Sequence, residues 1–217
     1  MGCDDCYLPT DHACRPLQDG SRDRQYTGHI NQISCPQTVF EAQYTVPIQV
    51  CDEASRSLNV RNAGGKSEIS EMYSIDLFAQ HFNGSNFIYE MQVMYCVQYS
   101  MVDFICDWTS PSGIRSRVGV SVTRAMNFFN QRWSKGGNVI LPEDSARRLL
   151  TKKIRGLVLA RNNVDERQSF YECVLHVWCE TEDTRNLLLK VIPEMNLEEV
   201  RVMLTVCPDP RIYLNIR

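Results

Sequence analysis

Three groups of residues in this chain have the types and spacing that chemistry requires. Cys3-Asp4-Asp5-Cys6 carries the C-x2-C spacing of a zinc knuckle, and His12, Cys14, His29 and Cys35 could complete a tetrahedral thiolate and imidazole set. No second C-x2-C pair follows, so the segment fits an unmetallated tail as well. No cofactor is expected, and Cys3, Cys6, Cys14 and Cys35 are the ligands that zinc would use if it bound. Gly64-Gly65-Lys66-Ser67 ends like a phosphate-binding loop but lacks the upstream glycine, and reads as the turn closing a hairpin. His12, His29, His81 and His176 stand apart from any serine elbow, any second histidine at helical spacing and any acidic metal motif. His176 reads as a core or face residue of a strand. The chain is therefore not expected to be an enzyme.

The third group mixes basic and aromatic residues over 104–133. A single strand of nucleic acid is held where cations track the backbone and rings stack on bases. Phe104, Trp108, Arg115, Arg117, Arg124, Arg132 and Trp133 supply that mixture and are the predicted contacts. The competing reading places Phe104, Phe128 and Phe129 in a core and lets the arginines coat a helix or meet an acidic protein. Charge is segregated in the same sense. Residues 1–110 carry 6 basic and 14 acidic side chains, residues 111–161 carry 11 and 2, and residues 162–217 carry 6 and 10.

These groups must be positioned by a folded core, which 217 residues at 43% hydrophobic content can build. Residues 1–29 read as irregular or ribbon-like. Phe40, Ala42, Tyr44, Val46, Ile48 and Val50 alternate with polar residues as in a half-buried strand, and Leu58 and Val60 predict its hairpin partner. Helical spacing follows over 68–82, capped by Ser67 and stopped by Asn83-Gly84. Alternation predicts strands over 87–99, 102–108 and 117–123, then a short helix over 125–133. Lys135-Gly136-Gly137-Asn138 marks a boundary. Beyond it the pattern predicts a helix opening at Pro142, strands near 156–161 and 169–179, helices over 183–192 and 196–204, and a last strand at 212–216. Cys96, Cys106, Cys173 and Cys179 sit singly in apolar runs and read as reduced core residues.

No membrane span is expected, because the longest apolar stretch, Phe87 to Tyr99, is broken by Glu90, Gln92 and Gln98. The aspartates at 4, 5, 11 and 19 argue against a secretory leader, and Met1-Gly2-Cys3 departs from the myristoylation pattern at position 6. An intracellular location is the expectation.

A cysteine-bearing segment, the strand Phe40 to Val50, an acidic turn, the strand Leu58 to Arg61, a helix and the strand opening at Phe87 follow one another over 35–108. This order resembles the OB fold at the C-terminal end of the replication protein A large subunit, and telomere-capping subunits built on the same barrel. The resemblance covers about a third of the chain and rests on pattern. It departs from the family in the ribbon, where Cys35 stands alone. It implies an OB-like five-stranded barrel over 30–135, followed by a smaller α+β extension or assembly domain over 138–217. The function it implies is a nuclear, non-catalytic, single-stranded DNA-binding subunit of a DNA-maintenance or telomere-capping complex with other protein subunits. The alternative is a protein-interaction scaffold whose degenerate barrel binds no nucleic acid. A structural β-protein without a groove is the third reading.

Overall fold

The computed structural model of the chain describes residues 30–32, 39–60, 67–97, 99–110, 113–126, 141–197 and 199–213. In chain order its elements are β1 (Ile30–Gln32), β2 (Val39–Gln43), α1 (Asp52–Ser57), α2 (Glu68–His81), β3 (Ser85–Tyr89), β4 (Phe104–Thr109), β5 (Arg115–Ala125), α3 (Glu143–Asn163), β6 (Glu172–Cys179), α4 (Glu182–Val191), β7 (Val200–Val206) and α5 (Pro210–Tyr213). The strands form one mixed sheet in the order β1-β2-β7-β6-β5-β4-β3. The chain is thus an α+β protein. β2, β7, β6 and β5 run parallel, while β1, β4 and β3 add antiparallel partners at the two sides.

Both faces of this sheet are covered. Strand alternation sends Phe104, Cys106, Trp108, Val118, Val120, Val122, Val174, Trp178 and Met203 to one face, where α2 brings Met72, Ile75 and Phe78. The neighbouring residues Ile105, Cys173, Leu175, Val177, Val202 and Leu204 fill the other face with Ala146, Leu150, Ile154 and Leu157 of α3 and Leu188 of α4. Burial on both faces, worth about 1.5–3 kcal/mol per large apolar side chain, accounts for the largely apolar runs of β6 and β7. α2 is itself deeply enclosed. Its buried Asp76 accepts from Tyr44 Oη and Cys51 N, both at 2.7 Å, and so ties the extended 44–51 segment across the helix.

Several expectations change. The described strands form an open sheet and not a five-stranded barrel, because β1 and β3 lie at opposite sides and do not pair. The division at 135–138 separates no folding units: β5 is bonded to β6 and β2 to β7, across the proposed boundary. Residues 52–57 are helical where a turn and hairpin partner were expected. The 87–99 strand ends at Tyr89, and Met94 N and Cys96 N turn instead to Gln168 Oε1 (2.6 Å) and Asn163 O (2.8 Å). α3 runs unbroken through the strand expected at 156–161. Residues 200–206 are the parallel strand β7, whose near-continuous apolar run mimics a helix. Residues 210–213 are helical; the last four residues and the 127–133 part of the expected helix lie outside the described residues. Cys106, Cys173 and Cys179 are buried free thiols as read, but Cys96 is exposed. Among the described residues no helix is long and apolar enough to cross a membrane.

Candidate nucleic-acid interface

The residues predicted to contact nucleic acid are not brought together. Phe104 and Trp108 have no exposed surface. The Trp108 ring lies 5.6 Å from both Phe78 and Phe82, and Phe104 meets Phe78 edge-on at 5.5 Å. No base can reach either ring, because β4 is covered by α2 on the face they occupy. Arg115 and Arg117 share one face at the start of β5, where Arg117 Nε pairs with Asp107 Oδ1 at 3.0 Å and Arg115 reaches Ser85 Oγ at 3.4 Å. Arg124 falls on the opposite face, roughly 23 Å farther along at ~3.3 Å per residue, and is buried. Arg132, Trp133 and the cysteines at 3, 6, 14 and 35 lie outside the described residues. Among the described residues no group of three or more His, Cys, Asp or Glu side chains is placed to hold a metal.

A different basic surface is assembled on α3. Ala146, Leu150, Ile154, Leu157 and Ala160 take its buried stripe, which turns Arg148, Lys152 and Arg155 outward at i, i+4 and i+7. All three are exposed, and none has a carboxylate partner among the described residues. Arg147, one position away, is by contrast held by Glu143, Asp144 and Glu194. Beside the cation row runs the 99–101 segment. It is anchored by Val102 N, which donates to Tyr95 Oη at 2.9 Å, and by Asp103 N, which donates to Val120 O at 2.9 Å. Between segment and helix lies a surface depression of about 520 Å³ lined by Tyr99, Ser100, Arg148, Lys152, Arg155 and Gly156.

A polar centre lies toward the C-terminal end of β5. The β4–β5 ladder stops at Phe104 opposite Val120, while β5 continues to Ala125. The backbone edge left open at Val122 must find partners. Asp103 Oδ2 accepts from Val122 N at 2.5 Å and from Ser121 Oγ at 3.0 Å. Lys153 Nζ donates to Val122 O at 3.1 Å and to Ser121 Oγ at 3.3 Å. Glu71, in the first turn of α2, accepts from Ser67 Oγ. Burial, and then the negative charge of Asp103, push the Glu71 carboxyl up to about 8, against the pull of the Ser67 bond and Lys153. A carboxylic acid that keeps its proton near neutrality, a fixed carboxylate and an ammonium therefore meet at one end of β5. Such a set can transfer a proton and face negative charge.

The other buried polar chain has no such access. His176 Nδ1 lies 2.7 Å from Ser74 Oγ, and Nε2 lies 2.8 Å from Thr205 Oγ1. His176, Ser74 and Thr205 have no exposed surface, and burial pushes the imidazole down to about 3, so it stays neutral. It joins α2, β6 and β7 as a satisfied core histidine, in agreement with its position in the sequence.

Tyr99, Arg148, Lys152, Arg155, Glu71, Asp103 and Lys153 were not singled out by sequence reasoning. The signal for the cations was present in the basic 111–161 segment and in the helix expected from Pro142, but nothing in the sequence placed Tyr99 beside them.

No family model and no solved structure matches the chain. Over 135 residues, 62% of its length, the chain is 30% identical to the AAC-rich mRNA clone AAC4 protein of Dictyostelium discoideum, of which it covers 19%. The chain thus spans about a fifth of the length of that relative, to which it is similar in this part alone.

Proposed function

We propose that this protein binds nucleic acid, with Arg148, Lys152 and Arg155 of α3 contacting consecutive phosphates. One observation carries the reading: three exposed cations without carboxylate partners are aligned on one helix face beside an exposed tyrosine. Cations of this kind supply salt-dependent affinity by releasing condensed counterions. The narrower reading, a non-catalytic single-stranded DNA-binding subunit of a nuclear DNA-maintenance or telomere-capping complex, comes from the 35–108 resemblance alone and without its barrel, since the described strands form an open sheet. Anisotropy of a labelled 25-nucleotide strand tests the reading. With three phosphates contacted, affinity for the single strand is expected to fall roughly 20-fold between 50 and 200 mM salt. The Arg148→Ala/Lys152→Ala/Arg155→Ala variant is expected to lose most of that slope. Absence of binding at 50 mM salt would return the chain to the protein-scaffold alternative.

A second, enzymatic reading is favoured by one feature, the protonated Glu71 beside Asp103 and Lys153. In it a bound phosphodiester is hydrolysed: water adds to phosphorus as the bond to the leaving sugar oxygen breaks, the Glu71 proton passes to that oxygen, and the proton the water gives up restores Glu71. End-labelled strands incubated with the protein, with and without added divalent cation, separate the two readings. Cleavage lost in both Glu71→Gln and Lys153→Met supports hydrolysis. Intact strands under both conditions leave binding alone.

A further inference from the structure

We infer that the ligand of the α3 face is single-stranded, and that one unstacked base enters the depression between Tyr99 and the helix at Gly156. The inference rests on the nucleic-acid reading above and names the form of nucleic acid that the site selects. The geometry comes from the close approach of the two walls. A side chain added at Gly156 would bring its Cβ to 2.9 Å from Ser100 Oγ, so glycine leaves the Ser100 hydroxyl its place beside α3 and a floor without a side chain. The resulting space is an open depression of about 520 Å³, with room for one base against the Gly156 floor.

Tyr99 closes one side. It is 72% exposed, with no ring contact or hydrogen bond among the described residues, which leaves its ring face available for stacking. Val97 and Met101, its neighbours but one, are also exposed. An aromatic face left in water beside a cation row fits a base leaving its stack, since every base offers a face for stacking whatever its sequence. The cations lie on the other side. From Arg148 to Arg155 the helix rises about 10 Å, at 1.5 Å per residue, enough to track the backbone flanking one inserted base. A duplex would present phosphates to the same row but keep its bases paired, and Tyr99 would remain in water.

Competition anisotropy with the full chain tests this, using a 25-nucleotide strand and the blunt duplex of the same sequence at 50 mM salt. The single strand is expected to bind at least about tenfold more tightly. Tyr99→Ala should weaken the single strand by about 5- to 160-fold, from the usual worth of one base–aromatic contact, and leave the duplex unchanged. Tyr99→Phe should retain the preference. Gly156→Leu, which fills the floor, should lose it, with circular dichroism melting confirming that each variant is folded. Equal affinities for the two forms, or a silent Tyr99→Ala, would overturn base insertion while salt-sensitive binding kept the proposed function standing. Failure of both forms to bind would overturn both.

Discussion

Replacing Trp108 with alanine is expected to destabilise the fold by about 3–5 kcal/mol, the usual cost of removing a fully buried large aromatic side chain. Against a total stability of roughly 5–15 kcal/mol this is a severe loss. The ring fills the space between Phe78 and Phe82, and its Nε1 donates to Ser116 Oγ at 3.2 Å and Glu172 Oε2 at 3.3 Å. Truncation opens a cavity against α2 and leaves those acceptors without their donor. Urea unfolding, compared with the wild-type protein, measures the effect. The sequence alone predicted the opposite signature, a folded variant that loses nucleic-acid binding. A Trp108→Ala protein that melts like wild type but no longer binds would contradict the placement of this ring in the core.

The pH dependence of stability is expected to carry a large contribution from Glu71. Its carboxyl is raised from about 4.5 to about 8 by burial and by the charge of Asp103. Between those values the folded chain holds a proton that the unfolded chain releases. The associated stability is fully present below about pH 4.5, and it is lost as pH rises toward 8, at up to about 1.4 kcal/mol per pH unit. Glu71→Gln, which keeps the shape without the ionisation, should flatten this slope and exceed the wild type in stability above pH 8. Urea midpoints at pH 5, 7 and 9 for both proteins isolate the group, because the other titrating residues are common to them. Parallel curves would show that Glu71 ionises without cost and would remove it from the polar centre.

The local elements were largely legible. The helical spacing over 68–82, the helix opening at Pro142 and the alternation at 117–123 and 169–179 became α2, α3, β5 and β6, because each pattern reflects a periodic backbone burying one set of side chains. The failures share a cause. Once helices cover both faces of a sheet, alternation marks only which residues share a face, and cannot say which face meets water. Trp108 and Phe104 therefore looked like a stacking platform while lying under α2. β7 looked helical because Val200, Val202, Met203 and Leu204 are all buried.

By itself, the sequence determined where charge is concentrated, that His176 lies in a strand, and most of the periodic segments. Those properties are carried by residue types and short-range spacing. Only the tertiary structure decided that the strands pair as one open sheet, with β2 beside β7 and β5 beside β6, because such pairings bring together segments far apart in the chain. It also decided that β5 outruns β4, so that Asp103 and Lys153 cap its open edge and meet Glu71. The exposed row on α3 follows from the same packing: the helix presents Arg148, Lys152 and Arg155 outward because the sheet claims the opposite stripe.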